Sequence, residues 1–219
     1  MSHKRIGTHC PLCDAKGRTL SEFDGRRYYS CPTCQAVYMD PEDYLSAADE
    51  KERYEEHNND VHDPGYQKFV APIVDAVLRD YGPEDIGLDY GCGTGPVITK
   101  LLRDAGYQIN LYDPFFADYQ KNLDLNYDYI VCCEVAEHFH YPAKEFRKLY
   151  SLMKPGRSLY VKTVLYSDDI DFDSWYYKND PTHVFFYSEE TLEWIRKHFG
   201  FFELHIEENH IEFTVAHLD

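Results

Sequence analysis

The spacing of apolar residues along this chain changes period near residue 85. Upstream of that point, segment 66–82 (YQKFVAPIVDAVLRDYG) places Phe69, Val70, Ile73, Val74, Val77 and Leu78 on one helical face, with Gly82 as its stop. Segment 41–58 (PEDYLSAADEKERYEEHN) is mostly helix-forming, and Pro41 suits a first helical turn. Asn58, Asn59, Asp60 and the Asp63-Pro64-Gly65 triplet then break it. Downstream, short apolar runs alternate with amphipathic ones. Residues 86–91 (IGLDYG), 107–113 (YQINLYD) and 127–133 (YDYIVCC) predict strands, and 96–106 (PVITKLLRDAG) predicts a helix ended by Gly106.

The pattern continues to the end of the chain. Residues 142–156 (PAKEFRKLYSLMKPG) predict a helix with Phe146, Leu149, Tyr150 and Met153 on one side, and 157–166 (RSLYVKTVLY) a long strand. Residues 188–200 predict a helix with a Ser188-x-x-Thr191 start and a Gly200 stop, and the tail from Phe201 predicts a hairpin. Alternating strands and helices imply an α/β fold with a mainly parallel sheet, helices on both faces and an antiparallel terminal hairpin.

The glycines between the first predicted strand and its helix carry the first chemical signal. Leu88-Asp89-Tyr90-Gly91-Cys92-Gly93-Thr94-Gly95 sits at the carboxyl end of that strand, where ligands bind in open α/β sheets. Asp113 ends the second strand, and a carboxylate there can accept hydrogen bonds from ribose hydroxyls. A dinucleotide fingerprint is absent, because Pro96 stands where its third glycine would fall. LDYGCGTG resembles motif I of class I S-adenosylmethionine-dependent methyltransferases, and LYDP resembles their ribose-gripping motif. DYIVCCEVAEHFHYPAKEFRKLYSLMKPGRSLYVKT resembles their fourth strand through their fifth, and the resemblance covers about residues 66–219. It implies a Rossmann-like methyltransferase sheet, with Gly91, Cys92, Gly93 and Gly95 bordering the methionine part of the cofactor. It also implies Asp89 near the amino group, Asp113 on the ribose, and Cys133 with Glu134 lining the site. Between Asp113 and Tyr127 there are too few residues for a full helix and a third strand. A shortened sheet edge is therefore expected, with adenine held by Pro114, Phe115 and Phe116, and Asp124 the nearest substitute for the usual third-strand acid.

Composition changes the picture at the N-terminus. Cys10-Pro-Leu-Cys13 and Cys31-Pro-Thr-Cys34 match the spacing of a four-cysteine zinc site, which is structural because it leaves no open position. A redox dithiol is the alternative. Cys92, Cys132 and Cys133 read as packing residues. No apolar stretch is long enough for a membrane span, and MSHKRIGTHC lacks a signal-peptide core, so a cytoplasmic protein is expected. Residues 1–35 carry a net +3 against −17 for the whole chain, so the remainder is strongly acidic and a poor match for nucleic acid. The expected organisation is a zinc ribbon at 1–40, a helical connector or lid at 41–82, and a cofactor-binding domain at 83–219. The sequence sets no oligomeric state.

Methyl transfer to oxygen or nitrogen needs a base, and His138, His140 and His183 follow the fourth and fifth predicted strands. Glu134, Glu137 and His138 have the spacing of one helical face, which would let them hold a divalent cation. The same E-x-x-E-H arrangement occurs in ubiquinone-biosynthesis O-methyltransferases, where it is linked to metal dependence. The plainer alternative is a solvated helix entry. Trp175, Tyr176, Tyr177, His183 and Phe185 are expected to wall an acceptor pocket or to serve the core. The leading expectation is O-methylation of a small molecule, with a histidine base and Glu134 beside it. An RNA methyltransferase using its ribbon, which the resemblance to certain ribosomal-RNA guanine methyltransferases suggests, and a non-catalytic cofactor-binding regulator are the alternatives.

Overall fold

A computed structural model describes residues 8–56 and 60–217; Asn58 and Asn59, read above as helix breakers, lie outside them. Three antiparallel strands open the chain: β1 (Arg18–Phe23), β2 (Arg26–Ser30) and β3 (Val37–Met39). Then come α1 (Ala47–Glu55), α2 (Pro64–Asp80), β4 (Ile86–Tyr90), α3 (Val97–Asp104), β5 (Gln108–Tyr112) and β6 (Tyr127–Cys133). The rest comprises α4 (Pro142–Ser151), β7 (Met153–Lys162), β8 (Phe185–Phe186), α5 (Glu189–Phe199), β9 (Glu203–Glu207) and β10 (His210–Thr214).

The main sheet has the order β5-β4-β6-β7-β10-β9. The pairs β4/β5, β4/β6 and β6/β7 are parallel, whereas β7/β10 and β10/β9 are antiparallel. Alternation along β6 divides the core between the two faces. Tyr129 and Val131 face the cluster built by α2 and α3, while Ile130 and Cys132 face a larger cluster with Phe146, Leu192 and Phe213. No third strand flanks β5 among the described residues. A 3-10 turn at Gln120–Asp124 takes its place, and Asn122 Nδ2 donates to Leu111 O of β5 at 2.9 Å. Asp124 is exposed at the end of that turn.

Three elements depart from the sequence reading. Pro41 opens only a 3-10 turn at Pro41–Asp43, and α1 starts later with Ser46 as its cap. Asp43 is committed to Arg27 of β2, accepting from its backbone N–H at 2.8 Å and from Nε at 2.9 Å, so the chain extends before it can coil. Asp63-Pro64-Gly65 begins α2, with Asp63 capping the Tyr66 N–H. The strand expected over 157–166 is β7, which starts at Met153 and leaves the sheet after Lys162. Downstream, Ser188 and Thr191 form a reciprocal cap on α5, and Gly200 ends it with φ +92°.

β1, β2 and β3 join β8 in a second, antiparallel sheet, with Val37 opposite Phe186 and Tyr38 opposite Phe185. The N-terminal module therefore shares a sheet with the segment between β7 and α5. Its two cysteine knuckles fold alike. In each, the first cysteine donates its N–H to a carbonyl five residues on (Ala15 and Ala36) and accepts from the residue after the second cysteine. Those last residues, Asp14 and Gln35, hold φ of +63° and +60°. The four sulfurs lie within 4.8 Å of one another, and all but Cys13 are buried.

Candidate active site

The carboxyl ends of the parallel neighbours β5, β4 and β6 lie together along one edge of the main sheet. β4 runs directly into the glycine loop, where Gly91 and Gly93 hold φ of +83° and +60°, in the region that favours glycine. The N–H groups of Gly91 and Cys92 donate to Tyr112 O at 2.7 and 3.3 Å, which pins the loop to the end of β5. Asp113 completes the junction. Its Oδ2 accepts from Gly93 N–H at 3.0 Å, and its Oδ1 accepts from Phe115 and Phe116 N–H at 2.8 and 3.0 Å. Three of about four acceptor positions are thus filled, leaving one on Oδ2. Phe115 and Phe116 are half-buried beside it, and Pro114 is exposed.

Asp89 is buried beneath the loop and accepts from Thr99 Oγ1 of α3 at 2.7 Å. Burial pushes its pKa up to about 6, so at neutral pH it remains largely ionised. Burial likewise raises the thiols of Cys92, Cys132 and Cys133, which stay protonated and act as packing groups. Tyr66, at the start of α2, is raised by burial, and it packs with Cys133 against the core cluster of α2 and α3. A single tyrosine at a helix start carries no motif, and the sequence reading passed over it.

β6 ends in a sharp turn. Glu134 has φ +53°, an uncommon backbone for a non-glycine residue, and its N–H donates to Lys162 O at 2.8 Å. The turn sets the Val135 side chain against Gly91, so a Cβ on Gly91 would fall 2.5 Å from Val135 Cγ1. Burial, followed by the Glu137 charge, pushes the Glu134 carboxyl up to about 8. Tyr177 OH donates to Glu137 Oε1 at 2.6 Å and lies 3.3 Å from Glu134 Oε2.

The expected trio of Glu134, Glu137 and His138 does not form. The 3-10 turn starts only at Ala136, so Glu134 lies outside the helical register that would align it with the other two. The group the fold brings together is Glu137, His138 and His183, whose ligand atoms all lie within 4.8 Å of one another. His140 turns away to Glu50 Oε1 at 3.4 Å. Tyr54 of α1 spans the site, its ring 5.7 Å from Phe115 and 5.2 Å from His138. Of the aromatic segment, Trp175 and Phe185 are spent on the core, Tyr176 is exposed, and Tyr177 with His183 reaches the cluster.

Comparison with known proteins gives the architecture its place. A family described as "Methyltransferase domain" matches residues 65–205. No curated protein matches the sequence. Among solved structures, an O-methyltransferase family protein from Burkholderia thailandensis is 14% identical at a TM-score of 0.51, covering 70% of this chain and 58% of that one. Human N-acetylserotonin methyltransferase, in complex with S-adenosylmethionine, is 13% identical at 0.51, covering 69% and 54%. The 1,6-didemethyltoxoflavin-N1-methyltransferase of B. thailandensis is 13% identical at 0.51, covering 92% of this chain and all of that one. The described strand order and the glycine loop at the end of β4 fit this match, and the chain belongs to the class I S-adenosylmethionine-dependent methyltransferases.

Proposed function

We propose that this protein transfers the methyl group of S-adenosylmethionine to a hydroxyl oxygen of a small-molecule acceptor. The observation that carries the reading is the junction of the 91–95 loop with Asp113, set beside a carboxylate–imidazole cluster at the end of β6. Gly91, Cys92, Gly93 and Gly95 border the methionine part of the cofactor, and Asp89 lies near its ammonium. Asp113 takes a ribose hydroxyl on Oδ2, while Pro114, Phe115 and Phe116 flank adenine in place of the third strand. Cys133 and Glu134 line the passage from cofactor to acceptor.

The acceptor lies over Tyr177, His138 and His183, and an imidazole of that pair receives its proton as the methyl group moves. The protein's part is positioning in line with the sulfonium and removal of that proton. The neighbours named for N-acetylserotonin and 1,6-didemethyltoxoflavin support a small acceptor. So does Arg27 of the ribbon, which is committed to Asp40, Glu42 and Asp43 and not held out toward a phosphate backbone. Among the described residues no helix is long and apolar enough to cross a membrane.

The four-cysteine cluster holds zinc, since four thiolates in two matched knuckles suit a closed tetrahedral ion. Residues 1–40 form that ribbon, 41–82 cover the cleft and 83–219 bind the cofactor; reduced cysteines suit the cytoplasm. The reading is tested by Asp113→Ala, which weakens S-adenosylhomocysteine binding by roughly tenfold or more, about 1.4 kcal/mol. Unchanged affinity in calorimetry, with circular dichroism intact, contradicts the assignment. Turnover with a panel of phenolic and sugar hydroxyl acceptors tests the reaction itself.

A further inference from the structure

Lys162 closes β7 at the same edge of the main sheet as the glycine loop. It stands opposite Cys133 of β6 on one side and His210 of β10 on the other. Paired residues of neighbouring strands share a face, and Lys162 shares its face with Tyr160, which packs against α2. Lys162 is half-buried, and its Nζ lies 4.4 Å from the centre of the Phe69 ring.

No carboxylate among the described residues lies within ion-pair distance of that ammonium. This sets it apart in a chain of net charge −17, where Lys100, Lys148, Lys154 and Lys197 each hold an acid. Glu134, next to Cys133 in the chain, turns its Oε2 to Tyr177 OH at 3.3 Å. A half-buried charge without a partner has given up hydration with nothing in return. His210 adds a second unmet group, since its Nε2 is buried and has no hydrogen-bond partner among the described residues. Burial, followed by the Lys162 charge, holds its pKa below the ordinary histidine value, so the ring is neutral at neutral pH. Phe69 keeps 42% of its surface exposed, with the Tyr66 ring stacked beside it at 6.3 Å. Lys162 thus stands between an open aromatic face and an unpaired imidazole nitrogen.

We propose that Lys162 binds a carboxylate carried by the acceptor, which makes the substrate a hydroxy acid. The ammonium and an Nε2–H of His210 offer two donors for two oxygens, and one cation matches one negative charge. A phosphate ester brings more negative charge than this single cation balances. The methionine carboxylate of the cofactor is the other source of the same chemistry. Topology favours the acceptor: β7 lies two strands from β4, about 10 Å at the usual strand spacing, with the end of β6 between them. The inference rests on the transfer reading proposed above and deepens it by naming the substrate class.

The zinc-loaded full chain, saturated with S-adenosylhomocysteine, is titrated with benzoate, benzamide and phenyl phosphate, and binding is read by ligand-observed NMR. Benzoate binds roughly tenfold tighter than the other two. Lys162→Met weakens benzoate by roughly tenfold, Lys162→Arg retains it, and neither changes benzamide. Circular dichroism and S-adenosylhomocysteine affinity stay at wild-type values. The proposal is overturned if benzoate does not bind, if benzamide or phenyl phosphate binds as well, or if Lys162→Met binds benzoate like the wild type. It is also overturned if Lys162→Met weakens S-adenosylhomocysteine but spares 5′-methylthioadenosine, which lacks the amino-acid tail; the cation then serves the cofactor. Benzoate binding that depends on Lys162, with no transfer to any hydroxy acid, upholds the anion site and removes the transfer reading. Transfer to neutral hydroxyl acceptors alone, undiminished in Lys162→Met, does the reverse.

Discussion

Gly91→Ala lowers stability by about 3 kcal/mol and brings S-adenosylhomocysteine affinity below detection. Two separate costs add at this position. A left-handed backbone at φ +83° costs an L-residue roughly 1–2 kcal/mol. The new methyl group would also press on Val135 at 2.5 Å, and forced overpacking costs typically about 1–3 kcal/mol. Relief requires either Val135 or the loop to move. Moving the loop breaks the Gly91 and Cys92 bonds to Tyr112 O and carries Gly93 away from Asp113. Urea unfolding and calorimetry on the same preparation check both halves. A variant with wild-type stability and affinity would show that the loop does not hold the cofactor as described.

Chelating the zinc proposed for the ribbon is expected to loosen the acceptor side of the site, about 150 residues away in the chain, and to spare the cofactor side. Structural zinc sites contribute about 10–16 kcal/mol of binding free energy to folding, more than a small module can replace. Cys31 begins the turn that returns as β3, through its N–H bond to Ala36 O. β3 pairs with β8, and Met39 N–H donates to Val184 O, next to His183. Further ties run from Ser21 to Asp173 and from buried Lys178 over the Phe23 ring at 3.8 Å. Chelation, or Cys31→Ser, therefore raises amide hydrogen exchange over 28–39 and over 172–187 together. Exchange over 86–95 and 108–113 stays low, and S-adenosylhomocysteine still binds within about threefold. Exchange confined to the first 40 residues would mean the ribbon is an independent appendage.

These two expectations draw on different depths of the sequence. β4 to β7 and α3 to α5 were legible because burial on both faces of a parallel sheet leaves apolar runs, and amphipathic helices leave a 3.6-residue stripe. The shortened edge was legible from chain length alone, between Asp113 and Tyr127. β8 was not, because a two-residue strand has no period, and its partner Val37–Met39 lies far upstream. The start of α1 was hidden by the long-range tie of Asp43 to Arg27.

In the site, glycines and carboxylates at strand ends announced themselves through motif spacing. Grouping His138 with His183 depended on the loop from Asp180 folding back onto the 3-10 turn, which local spacing does not encode. Helical spacing suggested Glu134 as the third member, but the left-handed residue that ends β6 broke that register. Tyr54 looks like an ordinary helix-face aromatic until the fold sets it between Phe115 and His138.

The most direct test of the whole account is titration calorimetry of S-adenosylmethionine and S-adenosylhomocysteine into the full chain loaded with zinc. The account predicts one saturable site per chain for each ligand, the two competing with one another. Absence of heat for both, from protein that is folded by circular dichroism, would contradict it.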